Sequence, residues 1–488
     1  MNERNAATQK SIFSGFGWSY AERMLAQIVS FVVSIILARL LGPETYGILS
    51  LVNIFIGIAT AITLTGFGSA LIQKKEADNL DFSSALYFSF GVSIVAYLVL
   101  FFSAPLIAGF FDAQSIAPVL RVLSLSLVLA SVNTVQHAYV IRKMQFRLLF
   151  ISTVCGSIFS ATAGILMAYK GFGVWALVAQ YLVNSIINTI VLAIISEWRP
   201  EKRFSFSRVK TIYGYGWKII VASVVEAIYR QSRSLAIGKK YTATDLAFYD
   251  KGLQFPSLLI TNIDSSIANV LMPAISSVQD EKQRVKEMVR RSVKTSSTLL
   301  FPLLIGLAVC SKPVVLILLT EKWAASIPYM QLLCLALMMK PIQTANLQGI
   351  LAMGRSDTYL WLQLSQKTVG VMIIAFTVVF FDSPLVIAAG EVLSYIVFAV
   401  INAYPNKKLL NYSVKEQLND VLPQMILAIC MGIIVWVVSF TKLPSLITLV
   451  IQVLLGTVTY IGGARVLRME PFMYLWNLIK IHFLKKKA

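Results

Sequence analysis

The sequence predicts an all-α polytopic membrane protein with about 14 transmembrane helices, and three observations support this fold class. Of its 488 residues, 57% are hydrophobic and only 14% are charged, which is too apolar for a soluble globular chain. Fourteen apolar stretches match a bilayer core of about 30 Å, which needs about 20 apolar residues per helix. The basic residues are also distributed unevenly among the connecting loops.

The fourteen stretches leave no room for a soluble domain, and the loops between them are short. Their predicted bounds are 12–37, 47–70, 84–110, 117–140, 148–169, 173–195, 213–236, 252–275, 297–319, 328–350, 358–380, 384–404, 421–440 and 445–467. The first stretch is too long for the apolar core of a signal peptide, so we expect it to remain as a helix. Twelve crossings, with 421–467 not spanning, is the alternative.

The basic residues predict the orientation. With a cytoplasmic N-terminus, the tails and cytoplasmic loops hold 27 Lys and Arg, and the opposite loops hold six. This asymmetry follows the positive-inside rule and predicts that both termini are cytoplasmic. The net charge of +20 then faces anionic inner-leaflet lipid, and nucleic acid binding is not implied. Residues 277–296 alternate in charge at helical spacing, which predicts a solvated cytoplasmic helix.

An internal repeat divides the chain into two similar halves. Residues 15–18 read Gly-Phe-Gly-Trp, and residues 214–217 read Gly-Tyr-Gly-Trp. Pro118 and Pro328 open a second corresponding pair of segments. Such halves are typical of transporters, which work by alternating access around a central site. Because each half has six crossings, we expect parallel repeats. The predicted domains are a six-helix bundle over 1–200, a second over 201–415, and an extra helix pair with a basic tail over 416–488.

Several kinds of protein are disfavoured by what the sequence lacks. It contains no P-loop, no H-E-x-x-H motif and no Cys/His ligand spacing, so we expect neither a cofactor nor a metal. A membrane enzyme would need a folded extramembrane loop, and every loop on the non-cytoplasmic side is short. A channel is disfavoured because no filter-like loop is visible. These absences favour a transporter.

Ionisable residues inside apolar stretches are functional candidates, because they cost several kcal/mol unless they face a cavity or a partner. In the first stretch, Arg23, Gln27, Ser30 and Ser34 fall on one helix face, and Glu22 adjoins them. The equivalent seventh stretch carries a second stripe. The residues predicted to bind an anionic substrate are Arg23, Gln27, Arg230, Arg233, Lys340 and Lys367. The residues predicted as possible ion-coupling sites are Glu22, Glu226, Asp264 and Glu391.

Other interpretations of these charges are open. Glu226 and Arg230 are spaced i,i+4 and could neutralise each other within one helix. Asp264 and Glu226 could form hydrogen bonds inside the bundle without moving an ion. Arg233 is close enough to a helix end for its charge to reach the membrane surface, and Lys251 is expected at a helix end. A basic, water-filled cavity nevertheless suits a lipid-linked pyrophosphate sugar, because guanidinium binds phosphate with two hydrogen bonds.

Two further segments resemble a known family. Residues 139–180 include Tyr-Val-Ile-Arg-Lys-Met-Gln-Phe-Arg and Gly-Phe-Gly-Val-Trp-Ala-Leu-Val-Ala-Gln, and residues 38–47 read Ala-Arg-Leu-Leu-Gly-Pro-Glu-Thr-Tyr-Gly. Both are similar to segments of bacterial polysaccharide transporters, the O-antigen flippase-like branch of the multidrug/oligosaccharidyl-lipid/polysaccharide exporter superfamily. Colanic-acid and teichuronic-acid exporters look most similar within it.

This resemblance implies two six-helix bundles around a V-shaped cleft. It implies export of undecaprenyl-pyrophosphate-linked oligosaccharide repeat units, for surface polysaccharides such as lipopolysaccharide or exopolysaccharide, with a polymerase and export machinery as partners. It also implies a cationic cleft, which Arg23 fits. The alternatives are a multidrug exporter of the same superfamily and a peptidoglycan-precursor flippase. A membrane glycosyltransferase or polymerase is the alternative from another class, and it would need a catalytic acidic loop that we do not find.

Overall fold

The computed structural model describes residues 22, 24–64, 67–74, 76–441 and 443–484. Twenty α-helices are present in this part of the chain. In order they are α1 (Met24–Leu40), α2 (Pro43–Thr63), α3 (Phe67–Gln73), α4 (Asn79–Phe110), α5 (Ile116–Leu123), α6 (Leu125–Arg142), α7 (Phe146–Tyr169), α8 (Val174–Ile195), α9 (Phe206–Lys240), α10 (Ala243–Ser276), α11 (Lys282–Val309), α12 (Ser311–Leu318), α13 (Ile327–Leu337), α14 (Lys340–Ala352), α15 (Ser356–Phe380), α16 (Pro384–Ala403), α17 (Asn406–Leu409), α18 (Val414–Val437), α19 (Ser445–Val466) and α20 (Glu470–Leu484).

The predicted all-α polytopic fold is confirmed, and no strand occurs among the described residues. Within the described part of the chain, twelve helical segments are long and apolar enough to cross a membrane, and they include Val414–Phe440 and Ser445–Val466. Two of the fourteen predicted stretches do not meet those criteria. For the first, the described part of the helix is the 17 residues of α1. The seventh lies in α9, which is long enough but carries many charged residues.

The chain divides into two compact units, Met1–Ala247 and Phe248–Ala488. Helices α1 to α9 belong to the first unit, and α11 to α20 belong to the second. Within the first unit α9 packs against α2, and within the second α18 and α19 pack against α11 and α12. The predicted domain boundaries near 200 and 415 stay predictions.

Each half contains an interrupted helix that is followed by a turn with positive φ, although the residues at the turn differ. The helix over 116–142 is interrupted at Ser124, and the helix over 327–352 is interrupted just before Lys340. Met144 follows the first of these and has φ 57°, and Gly354 follows the second and has φ 73°. Positive φ is the left-handed region, which costs a residue with a Cβ about 1 kcal/mol or more. The same turn is therefore made twice, once by glycine and once by methionine.

Small residues bring helices of the first unit into close contact. A Cβ at Gly47 of α2 would lie 2.1 Å from the carbonyl oxygen of Ala243, at the start of α10. A Cβ at Gly238 of α9 would lie 2.4 Å from a methyl group of Leu51. Since aliphatic side chains gain little by leaving lipid, close backbone approach through small residues is what holds such helices together.

A charged cluster joins α18 to α11 within the second unit. Arg290 of α11 donates two hydrogen bonds of 2.7 Å to the carboxylate of Asp420 in α18. The Tyr412 hydroxyl donates to the same carboxylate at 2.9 Å, and Lys286 pairs with Glu416 at 3.0 Å. Bidentate hydrogen bonds between arginine and a carboxylate are stronger than hydrogen bonds between neutral groups. The prediction of a solvated helix over 277–296 is thus wrong for this face of α11, because its basic residues bind α18.

We expect Gly47→Ala to destabilise the protein and Gly91→Ala to leave it unchanged or slightly more stable. The new methyl at position 47 meets a backbone carbonyl that cannot move aside, and overpacking costs about 1–3 kcal/mol. At Gly91, inside α4, an added Cβ meets nothing within 4 Å, and alanine favours a helix by about 0.5–1 kcal/mol over glycine. Thermal unfolding in detergent measures both, and equal melting temperatures would contradict the packing argument.

We expect Arg290→Ala to lower the melting temperature clearly more than Arg284→Ala does. Without Arg290, the buried Asp420 carboxylate loses two charged hydrogen bonds, and an undersatisfied buried group costs about 1–3 kcal/mol. Arg284 pairs with Glu281 on an exposed surface, where such pairs contribute about 0–1 kcal/mol. Similar shifts for both variants would mean that the cluster does not hold α18 to α11.

Candidate functional site

The polar face predicted on the first helix is described only in part. Arg23, its central residue, lies outside the described residues. Glu22 is half-buried, and its carboxylate accepts a 3.1 Å hydrogen bond from the Thr153 hydroxyl of α7. Gln27 is half-buried on α1. Glu22 is therefore held against the interior of the first unit.

A row of polar side chains continues this interior along α6, α7 and α8. Asn133 of α6 donates to the Asn188 side chain of α8 at 3.0 Å. Asn184 of α8 donates to the Ser160 hydroxyl of α7 at 3.3 Å. Polar groups inside a membrane bundle satisfy one another across helices in this way. The sequence analysis did not identify these residues, although asparagines inside apolar stretches could have indicated them.

The stripe predicted on the seventh stretch has the expected helical spacing along α9, but its members differ in environment. The side chains of Glu226 and Arg230 are exposed. Arg233 is buried, at 6% exposure, and its guanidinium lies 6.0 Å above the ring of Tyr229. An arginine over an aromatic face gains a cation–π attraction. Burial of Arg233 argues against the interpretation that it merely extends to the membrane surface.

In the second unit the structure brings two predicted residues together. The Lys340 ammonium of α14 lies 3.7 Å from one carboxylate oxygen of Asp264 in α10. The Thr344 hydroxyl, one turn further along α14, donates to the other oxygen. The Lys340 side chain is 40% exposed, so the pair is reachable from outside the unit. A predicted substrate-binding cation and a predicted coupling acid thus neutralise each other.

Glu391 is the most buried of the predicted acids, at 5% exposure in α16. Its carboxylate accepts a 2.6 Å hydrogen bond from the Tyr249 hydroxyl of α10. The Tyr249 ring meets the ring of Tyr329 edge-on, with their centroids 6.3 Å apart. A carboxylate at this depth needs a donor, and Tyr249, which sequence reasoning did not single out, supplies one.

Lys251 is not at an exposed helix end, contrary to prediction. It is 6% exposed, and its ammonium donates to the Gln254 side chain at 3.0 Å. It also lies 5.6 Å from the centre of the Trp323 ring. Trp323 comes from a predicted loop, so the sequence alone could not indicate this contact. Lys367, on α15, is half-buried.

These contacts decide what the interior can do chemically. Asp264 with Lys340 and Glu391 with Tyr249 are polar pairs inside membrane helices, where each member stabilises the other. In the part of the chain that the structure describes, no three His, Cys, Asp or Glu side chains gather as a metal site requires. The substrate-binding and ion-coupling roles assigned from the sequence all stay predictions, for Arg23, Gln27, Arg230, Arg233, Lys340 and Lys367 and for Glu22, Glu226, Asp264 and Glu391.

Many apolar spanning helices with polar pairs inside them are the architecture of a multi-pass membrane transporter. The model of a family described as "Polysaccharide biosynthesis protein" matches residues 36–328, and the chain belongs to this family. The resemblance to bacterial polysaccharide transporters, noted at 38–47 and 139–180, is thereby confirmed.

Several curated proteins are similar to the chain. The lipopolysaccharide biosynthesis protein WzxC of Escherichia coli (strain K12) is 22% identical, over 92% of this chain and 88% of its own length. The teichuronic acid biosynthesis protein TuaB of Bacillus subtilis (strain 168) is 22% identical, over 93% and 95%. The succinoglycan biosynthesis transport protein ExoT of Rhizobium meliloti (strain 1021) is 25% identical, over 67% of this chain and 66% of ExoT.

Solved structures share the fold. The lipid II flippase MurJ, in an inward closed conformation, superimposes with a TM-score of 0.75 at 14% identity, over 92% of this chain and 98% of its own. An inward-facing multidrug resistance MATE family transporter gives a TM-score of 0.63 at 16% identity, over 77% and 92%. The fold is therefore one that known membrane transporters use.

We expect Lys340→Met to destabilise the protein and the double variant Asp264→Asn/Lys340→Met to recover most of the loss. The single change leaves the Asp264 carboxylate without its cation, and removing one partner of a pair costs more than removing both. The measurement is thermal unfolding in detergent. Lys312→Met, at an exposed lysine of α12, is the matched control and should have little effect. A double variant no more stable than the single one would show that the two groups do not act as a pair.

Proposed function

We propose that the chain is a flippase that moves undecaprenyl-pyrophosphate-linked oligosaccharide repeat units across the bacterial cytoplasmic membrane by alternating access. The family match over residues 36–328 is the observation that carries this proposal. The likeness of nearly the whole chain to the fold of a lipid II flippase supports it. The product would serve the assembly of a surface polysaccharide.

The charges inside the helices give the proposal a chemical basis. A pyrophosphate headgroup needs cations in a water-filled space, and it cannot cross the hydrocarbon core unassisted. The Lys340 ammonium lies 3.7 Å from Asp264, and the Lys340 side chain is 40% exposed. A phosphate group could therefore reach Lys340 and take the place of Asp264. In this mechanism the headgroup displaces Asp264 from Lys340 on entry, and the pair forms again on release. Arg23 is the residue of the first unit that we propose for binding an anionic group.

Coupling to an ion gradient or to the membrane potential would drive the movement. The acids proposed to take part are Glu22, Glu226, Asp264 and Glu391, and each lies in a stretch that the sequence predicts to span the membrane. Of these, Glu391 is the most buried, and its carboxylate accepts a hydrogen bond from the Tyr249 hydroxyl. A coupling ion would have to displace the Tyr249 contact.

We place the protein in the cytoplasmic membrane with both termini inside, and we assign it no enzymatic step. The distribution of basic residues supports this orientation. A separate polymerase and export machinery would receive the flipped repeat units. The MATE-type fold keeps a multidrug exporter as the second candidate. Such an exporter takes organic cations, which the basic residues of the predicted site would repel.

We expect Arg23→Ala and Arg23→Glu, at equal expression, to reduce surface polysaccharide and to accumulate lipid-linked intermediate in the inner leaflet. The loss should exceed about ten-fold for Arg23→Glu, because a like charge then faces the pyrophosphate. Arg147→Ala, at an exposed arginine of the first unit, is the matched control. The measurements are cell-surface polysaccharide and leaflet-resolved assay of the intermediate.

Two results would contradict this assignment. Unchanged export by both Arg23 variants would remove Arg23 from the mechanism. Resistance to cationic drugs conferred by the intact protein, without any change in polysaccharide, would favour the multidrug exporter.

A further inference from the structure

A cavity of about 470 Å³ lies in the first unit, away from the interior described above. It is formed by the start of α4, the end of α6 and the segment that follows α8. Its volume is within the range of about 300–1,000 Å³ that is typical of small-molecule sites. The residues that line it are Ala77, Asp78, Asn79, Phe82, Tyr139, Arg142, Lys143, Glu197, Trp198 and Arg199.

One wall of the cavity is aromatic and rigid. The ring of Tyr139 packs at 5.5 Å from the ring of Phe82 and at 6.1 Å from that of Trp198, measured between centroids. The Trp198 indole N–H donates to the Asn79 side chain at 2.6 Å, which fixes this wall to the start of α4. Tyr139 is half-buried, whereas Phe82 and Trp198 are buried, so Tyr139 is the side chain of this wall that a ligand can reach. Aromatic walls of this kind offer a large apolar contact at little entropic cost.

The rim of the cavity carries both cationic and anionic groups. Lys143 and Glu197 are exposed, and among the described residues neither side chain takes part in a hydrogen bond or an ion pair. The Lys143 ammonium lies 5.9 Å above the Tyr139 ring, so a cation stands directly over the aromatic wall. Two groups of opposite charge therefore remain available to a ligand.

The remaining charged groups of the cavity are already engaged. The Arg142 guanidinium donates to the carbonyl oxygens of Leu71 and Ile72, and that of Arg199 donates to the carbonyl oxygens of Ser196 and Trp198. These contacts hold the walls in place. Their outward N–H groups still add positive potential to the cavity.

Asp78 is engaged as well. Its carboxylate caps α4 by accepting from the Asp81 backbone N–H, and this hydrogen bond lowers the pKa of Asp78. Arg208 pairs with the same carboxylate at 3.1 Å. Glu197 is thus the acid of this cavity that is left to accept hydrogen bonds from a ligand.

We propose that this cavity binds a phosphorylated sugar. An aromatic face suits the apolar C–H side of a sugar ring, Glu197 suits its hydroxyls, and Lys143 suits its phosphate. A bare anion would not need Glu197 or the aromatic wall, and an apolar molecule would not need Lys143. The proposal rests on the proposed function in one respect: the cavity would be a docking site for the sugar-phosphate headgroup, outside the transmembrane path.

The position of the cavity agrees with this use. It lies where the third, fourth and sixth apolar stretches meet their predicted cytoplasmic loops, and substrate synthesised in the cytoplasm arrives there. The ligand has two possible sources, a lipid-linked sugar phosphate in the inner leaflet and a soluble sugar phosphate in the cytoplasm. Both present the same chemistry to Lys143 and Glu197.

The test is binding to the purified full chain in nanodiscs of phosphatidylethanolamine and phosphatidylglycerol. The soluble arm titrates glucose 1-phosphate and follows it by saturation-transfer NMR. The lipid arm places a photo-crosslinking amino acid at position 77, which lines the cavity, or at position 170, and adds glucosyl phosphoryl undecaprenol to the nanodiscs. Wild-type protein should bind glucose 1-phosphate saturably, and crosslinking should occur at 77 and not at 170.

The variants separate the two parts of the ligand. Lys143→Gln should weaken glucose 1-phosphate about ten-fold, the value of a charged hydrogen bond. Glu197→Gln should weaken glucose 1-phosphate several-fold while leaving inorganic phosphate unaffected. Lys170→Gln is the matched control, because Lys170 is exposed and ends α7 as Lys143 ends α6. Saturable binding that is lost in these variants supports the proposal. The arm in which it occurs shows whether the ligand is the soluble or the lipid-linked sugar phosphate.

The proposal would be overturned if neither arm showed saturable binding, or if Lys143→Gln bound glucose 1-phosphate as tightly as wild-type protein does. Equal competition from phosphatidylglycerol headgroups would also overturn it, because the cavity would then be a phospholipid contact. Transport by wild-type protein is measured separately in proteoliposomes. If transport occurs without binding at this cavity, only the present inference fails. If the cavity binds and no lipid-linked saccharide is transported, the proposed function fails instead.

Discussion

Polar groups inside a membrane protein must find partners within the protein, because the hydrocarbon around them offers none. The structure meets this requirement with short, local contacts between neighbouring helices. Thr153 donates a hydrogen bond to Glu22, Tyr249 donates one to Glu391, and Lys340 forms an ion pair with Asp264. Each contact both permits a polar group at depth and determines which helices lie side by side. The packing of the bundles and the chemistry proposed for them therefore rest on the same hydrogen bonds.

Both units hold ion pairs, and they differ in where the pairs lie. In the described part of the first unit, amides and hydroxyls bond across α6, α7 and α8, and Asp81 pairs with Lys74 and Arg208 near the start of α4. The second unit has a similar cluster around Asp420, and it also has the pair of Asp264 and Lys340 between α10 and α14. Neutral polar groups can exchange partners at small cost, whereas separating an ion pair in a low-dielectric interior is expensive unless another charge replaces it. Under the proposed function, the anionic headgroup would be the charge that replaces Asp264 beside Lys340.

The sequence predicted the class of fold well, since apolar length and the distribution of basic residues are direct consequences of the bilayer. It also identified Asp264, Lys340 and Glu391 as polar positions at depth. It could not identify their partners, because Thr344 and Tyr249 are ordinary residues until helices from distant parts of the chain are brought together. Lys251 shows the limit most clearly. Its position near the end of an apolar stretch suggested an exposed end, and tertiary packing against Trp323 buried it.

The turn that Met144 and Gly354 each make has a consequence for how the two halves diverged. Both residues adopt a left-handed backbone, though only one of them is suited to it. Sequence comparison between the halves finds little there, since methionine and glycine have nothing in common as side chains. The turn keeps the same backbone region in both halves although its residue differs. A search for hidden duplication in other helical membrane chains would do well to align unusual φ values before it aligns amino acids.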